Sequence, residues 1–242
     1  MSKRWLSLLA AVALTSLAVS GILVPKAGAA SSADATVLDP ANFVSVINNP
    51  YFPLPVGRTL VYQGIKEGQA QTDTVTVTSM TKIILGISTT VVSDVATAQD
   101  GTVLERTFDY YAQDKQGTVW YLGEDTTSFR ANGRPDTSGS FQAGVGGAQP
   151  GIIMEANPQI PDAYRQEFLP GEAEDAAWVV ELGGTVTVPY RKLRNTLVTL
   201  EATRLEPGSY DQKIYAPGIG IVSEKALTGT PETAVLVSVT GP

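Results

Sequence analysis

The sequence predicts a mostly β protein: a single domain built on a curved antiparallel sheet, half-barrel or barrel-like, with a short N-terminal helix. Three observations carry that expectation. Segments rich in Thr, Val, Ile and aromatic residues recur from position 59 to position 240, the composition of pleated, half-buried strands. Turn chemistry at Glu67-Gly68, Gln99-Asp100-Gly101, Asp114-Lys115-Gln116-Gly117 and Asn132-Gly133 separates the first set of strands. Its spacing of about ten residues is that of an up-and-down sheet. Neither a linker nor a repeat of fixed period divides residues 39–242.

The elements follow in order. Lys3 and Arg4 precede an apolar stretch from Trp5 to Val24, and Ala27-Gly28-Ala29 supplies small residues ahead of a cut. This is a secretory signal pattern over 1–29, cleaved after Ala29 or Ala30. An uncleaved anchor is the other reading of so long an apolar stretch, but Ser7, Thr15, Ser16, Ser20 and Gly21 dilute it. Residues 30–38 read as a flexible leader. Asp39-Pro40 has the grammar of a helix start, an Asp cap with Pro at the first helical position. Phe43, Val46 and Ile47 would form one apolar stripe on that helix, and Asn48-Asn49-Pro50 would stop it.

Strands are then expected at Thr59–Gln63, Thr72–Met80, Lys82–Leu85, Thr89–Ala96, Val103–Tyr111, Thr118–Leu122 and Thr126–Arg130. In 72–80, Val75 and Val77 alternate with Thr74, Thr76 and Thr78, the period of a strand with one buried face. A Gly/Pro-rich stretch from Ser138 to Pro161 reads as a long loop. A second strand set is expected at Ala176–Leu182, Thr185–Val188, Thr196–Arg204, Tyr210–Tyr215, Ile219–Lys225 and Ala234–Thr240.

Composition removes several function classes. The chain has no His and no Cys, so Ser-His-Asp triads, His-ligated zinc, thiolate clusters and disulfides are all excluded. A formal charge of −7 opposes a nucleic-acid partner, which requires a basic surface. Beyond residue 29 there are 14 basic residues against 24 acidic ones. No Gly-x-Ser-x-Gly stands beyond residue 29. Gly144–Gly151 lacks the Lys-Ser/Thr ending of a phosphate loop.

Several stretches form a recognisable set. They are Asn49-Pro50-Tyr51-Phe52-Pro53-Leu54 with Gly57 and Leu60-Val61-Tyr62, and Asp109–Asp114 with Gly117, Val119, Trp120, Tyr121 and Gly123-Glu124. Tyr164–Glu167, Gly171–Asp175 and Tyr215-Ala216-Pro217-Gly218-Ile219-Gly220 complete it. Over about residues 43–225 the chain resembles a family of secreted bacterial proteins of unknown function, a resemblance that supplies no catalytic residues. In architecture it is more distantly similar to periplasmic lipoprotein-carrier and lipid-binding folds. Read physically, Pro53 and Pro55 hold their segment extended. Tyr51, Phe52 and Leu54 can then plug one end of the sheet, and 215–220 makes a tight turn.

Candidate chemistry is spread thinly. Alternation puts Asp109 and Tyr111 on one strand face and Phe108 and Tyr110 on the other. With Trp120, Arg165 and Glu167 these give a candidate ligand set, lining a cavity for a lipid or glycan; cross-strand packing in a core is the alternative. Glu172, Glu174 and Asp175, beside the Pro170-Gly171 turn, are candidate ligands for Ca²⁺, or an acidic helical first turn. Asp109, Glu124, Asp125, Glu167 and Glu174 can supply a general acid and base for glycan hydrolysis, and Tyr164 or Tyr111 with Arg165 a lyase. The leading expectation is a secreted or envelope-associated, non-catalytic binding protein for an apolar or amphipathic ligand. It would be a monomer or weak dimer, soluble after cleavage, with no cofactor required beyond optional Ca²⁺. A carbohydrate-active enzyme and a structural adhesion module are the alternatives.

Overall fold

The chain is described here by a computed structural model, for residues 36–66, 68–129 and 133–242. The expected signal peptide lies outside the described residues, as does the leader up to Ala35.

The first strands are short: β1 (Phe43–Val44), β2 (Asn48–Asn49) and β3 (Phe52–Pro53). A five-stranded meander follows, with β4 (Thr59–Lys66), β5 (Gln69–Ile84), β6 (Ile87–Ala98), β7 (Val103–Asp114) and β8 (Val119–Phe129). Short pieces come next: β9 (Pro135–Asp136), β10 (Phe141–Gln142), β11 (Gln149–Met154), β12 (Ala163–Arg165) and β13 (Glu167–Phe168). A second meander ends the chain, with β14 (Asp175–Thr187), β15 (Lys192–Thr203), β16 (Asp211–Ala216), β17 (Gly220–Ala226) and β18 (Thr233–Thr240). Pairing is antiparallel throughout, and β18 joins β4 so that the two meanders form one sheet.

The free edges of that sheet meet through a single residue. β12 pairs with β14, and Gln166 N–H donates to the Asp175 carbonyl at 2.8 Å. One residue later β13 pairs with β11, which itself pairs with β8. The result is a nearly closed, barrel-like sheet, which leaves little unpaired edge. The seam demands glycine at 151, because a Cβ there would lie 2.1 Å from the Gln166 carbonyl oxygen.

The alternation read in β5 holds: Val75 and Val77 are buried while Thr74, Thr76 and Thr78 are half-exposed. Expected strands at Thr72–Met80 and Lys82–Leu85 are one strand with a register shift between Val77 and Thr81. Thr118–Leu122 and the described part of Thr126–Arg130 likewise merge into β8, and Ala176–Leu182 with Thr185–Val188 into β14. The Ser138–Pro161 loop proves to contain β10 and β11, half of the seam.

The expected N-terminal helix is corrected. Among the described residues there is no α-helix. Asp39 does cap, accepting from the Ala41 amide at 2.9 Å, but only a 3-10 turn, Pro40–Asn42, follows. Phe43 and Val44 pair instead with Asp114 and Gln113 of β7, and Gln113 Oε1 accepts from the amides of Asn48 and Asn49 at 2.8 Å. Strand pairing thus takes the backbone groups a helix would have used, and the stripe divides: Phe43 packs outside the sheet, Ile47 inside, and Val46 is exposed.

Two apolar clusters result. The inner one fills one half of the barrel with residues such as Leu60, Val77, Val92, Leu197 and Leu236, and Phe52, Leu54 and Ile219 close that end. The Tyr215–Gly220 turn and the Asn49–Leu54 segment are tied together there, Gly218 N–H donating to the Pro50 carbonyl at 2.8 Å. The outer cluster lies on the back of β6, β7 and β8, where Ile84, Ile87, Tyr110 and Leu122 meet Phe43 and Trp120.

Candidate functional site

Followed away from the plugged end, each inward strand face changes from apolar to charged. In β5 the order is Val77, Val75, Asp73, Gln71; in β7 it is Tyr111, Asp109, Thr107, Glu105; in β15 it is Leu197, Thr199, Glu201, Thr203. Asp94, Glu124, Glu167 and Asp175 add buried carboxyls from β6, β8, β13 and β14. The buried cations among them are Lys66 and Lys213. The registers spread these positions over neighbouring levels, Asp73 and Glu105 both opposite Ala96, Asp94 opposite Val75, and Asp109 opposite Val92 and Glu124. Together they make the far half of the barrel an acidic chamber.

Part of the chamber is internally satisfied. Lys213 Nζ lies 2.8 Å from Glu201 Oε2, and Thr199 Oγ1 donates to Glu201 Oε1 at 2.9 Å. Although burial works against its charge, Glu201 and Glu224 beside it hold the Lys213 ammonium well above the usual lysine range. Tyr121 donates to Asp109 Oδ1 at 2.8 Å, and Ser128 to Glu105 Oε2 at 2.7 Å.

Other acceptors have no donor. Asp109 Oδ2, both carboxyl oxygens of Glu167, both of Asp175, Glu224 Oε2 and Gln71 Oε1 are shut off from solvent and unpaired. Unpaired burial disfavours a charged carboxylate, so each keeps its proton longer. Burial pushes Asp109 and Asp73 up to about 7, and Glu224 up to about 8. Glu167 rises well above the carboxylate range through burial and the neighbouring Asp175, itself raised to about 6 by burial. The Glu167 and Asp175 carboxyls lie within hydrogen-bonding reach of one another at the seam. Two acceptors in that position are satisfied only if they share a proton.

At the mouth of the chamber a small cavity of about 30 Å³, partly open to solvent, lies between β4, β5, β16, β17 and β18. Gln71, Asp73, Asp211, Glu224 and Glu232 give it an acidic wall, Lys66 adds one ammonium, and Ile65, Ala226 and Ala234 add apolar surface. Sequence reasoning passed over this set. A usable signal was present: extending the Val77–Val75 period by two steps puts Asp73 and Gln71 on the same inward face.

The residues singled out from sequence separate into three places. Asp109, Tyr111 and Glu167 do face the interior. Tyr111, however, is packed, its ring 5.1 Å from Phe52 and 4.9 Å from Tyr121, which in turn lies 5.3 Å from Phe141. Trp120 pairs with Ala112 on the outer face, and its indole N–H donates to Asp114 Oδ2 at 2.9 Å. Arg165 also faces outward, 4.2 Å from the Phe168 ring. The acidic triplet does not converge: Glu172 is exposed, Glu174 binds Arg204 and the Gly171 amide, and Asp175 is buried in the chamber. Among the described residues no group of three or more acidic side chains is arranged to hold a metal ion. Asp114 is a turn residue, accepting from the amides of Gln116, Gly117 and Thr118.

No protein-family model matches the chain, and no curated protein matches it. Two solved structures are similar to it. One is a protein of YmcC-like fold from Bacteroides fragilis, predicted to be exported. It has 15% identity and a TM-score of 0.48, covering 80% of this chain and 100% of that one. The other is a predicted lipoprotein from Parabacteroides distasonis, with 11% identity and a TM-score of 0.45, covering 79% of this chain and 99% of that one.

Proposed function

We propose that this chain is exported to the cell envelope or beyond it, where it acts as a non-catalytic binding protein. Its ligand enters the polar mouth of the barrel. The signal pattern over 1–29 supports export. The observation that carries the binding reading is the set of solvent-shielded acceptors without donors beside an open cavity, above all Gln71 Oε1 and Glu224 Oε2. Such groups are costly in an empty site and gain partners when a donor-bearing ligand arrives. Side chains of the inner cluster already occupy the plugged half, so the ligand favoured is polar rather than the apolar one expected from sequence.

Thermal unfolding with separate additions of putrescine, maltose and myristate tests this. At least one polar probe should raise the Tm of the wild type, and not that of a Gln71→Leu, Glu224→Gln double variant. A shift with myristate alone, or with none of the three, would overturn the reading.

One observation favours a second reading. Asp73 near 7 and Glu224 near 8 line the same cavity, and carboxyls titrating near neutrality are what acid–base hydrolysis uses. A hydrolase would cleave chromogenic glycosides and lose at least about a hundredfold in rate in Asp73→Asn. No turnover by the wild type removes it.

A further inference from the structure

We propose that the cavity at the barrel mouth, where Gln71 and Glu224 present acceptors that no donor fills, is a binding site for a small aliphatic amine. This deepens the reading of the polar mouth as the binding end and rests on it.

Three features select an amine. The first is the excess of acceptors and negative charge. Asp73, Asp211, Glu224 and Glu232 share the wall with a single ammonium, that of Lys66. Gln71 is only 8% exposed, yet its Oε1 has no partner. An alkylammonium brings three donors and a positive charge. A neutral sugar brings donors alone.

The second feature is Lys66 itself. Burial pulls its ammonium below the usual lysine range, and Glu105, Glu232, Asp73 and Glu224 offset only part of that cost. The wall already seats one alkylammonium and still leaves Gln71 Oε1 and Glu224 Oε2 unfilled. The third is the apolar surface of Ile65, Ala226 and Ala234, which suits a methylene stem and is wasted on a bare cation. A metal ion would need carboxylates to converge, and among the described residues they do not.

Binding should release protons. The titratable groups facing the cavity are Lys66 on β4, Asp73 on β5, Asp211 on β16, Glu224 on β17 and Glu232 before β18. Glu105 of β7, Glu201 of β15 and Lys213 of β16 act on them from deeper in the chamber. Near pH 7 Asp73 and Glu224 are partly protonated, and an arriving ammonium favours their charged forms.

The test is isothermal titration calorimetry of the secreted chain with putrescine near pH 7, run in phosphate and in imidazole buffer. Saturable one-to-one binding is expected, with heats that differ between the buffers because protons are released. Gln71→Leu and Glu224→Gln should each weaken it about tenfold, equivalent to about 1.4 kcal/mol. Glu172→Gln, on the exposed Gly171–Glu172 turn, should leave it unchanged. Buffer-independent heats, wild-type affinity in both cavity variants, or no saturable heat from the wild type would overturn the amine. If maltose binds and putrescine does not, the amine assignment falls while the mouth remains the binding end. If neither probe binds and the thermal test is also silent, both fall.

Discussion

Glu167 and Asp175 show how much one proton matters at a single position. Their four oxygens are buried, Thr203 reaches only the Asp175 carboxyl, and a proton shared between the two carboxyls is the arrangement that satisfies their facing oxygens. Both carboxyls are raised, so the pair contributes most at low pH and loses its proton as pH rises. Glu167→Gln replaces that proton with a permanent amide donor. The variant should match the wild type near pH 5 and exceed it by about 1 kcal/mol near pH 8, read from urea unfolding at each pH. Equal loss at both values would mean that Gln cannot occupy the site. At this scale the sequence was partly legible. Alternation placed Asp109 and Tyr111 inside because both lie on one uninterrupted strand. It could not place Trp120, because the bulge between Tyr110 and Tyr111 sets which β8 residue lies opposite each β7 residue.

At the scale of elements, the seam and the turns differ in what they can tolerate. The seam at Gly151 brings two backbones together with no room for a Cβ. Gly151→Ala should cost at least about 3 kcal/mol, since either β11 or Gln166 must move. Gly101→Ala, in an open hairpin turn with φ of +85°, should cost only about 1 kcal/mol. Urea midpoints of the two variants check this, and similar losses in both would deny the seam its special role. The meander strands were readable because each carries its own alternation and its own turn. The seam was not, because β11, β12 and β13 together are short and sit among Gly and Pro, and the pairing joins residues distant in sequence. The helix expectation failed for a related reason. Local capping at Asp39 was correct, but Gln113 and Asp114, some seventy residues later, capture the backbone that follows.

For the whole molecule, an interior lined with raised carboxyls gives stability an unusual dependence on pH. Asp73 and Asp109 near 7, Asp175 near 6 and Glu224 near 8 all exceed their model-compound values of 3.8 or 4.5. Between roughly pH 4 and pH 8 the folded chain therefore holds protons that the unfolded chain has released. Stability is greatest at the acid end of that window, falls as pH rises through it, and levels off above about 8. Urea midpoints measured across the window should decline steadily, and a rise toward neutrality would contradict the burial of these groups. A small cationic ligand at the mouth should reverse part of the decline by stabilising the charged carboxylates.

Native mass spectrometry of the chain recovered from its own host addresses the binding claim most directly. A chain beginning near Ala30 or Ser31, carrying a small polar adduct that leaves on denaturation and is absent from the Gln71→Leu, Glu224→Gln variant, is the predicted result. A bare wild-type chain, or an adduct that both proteins carry equally, would contradict a binding site at the barrel mouth.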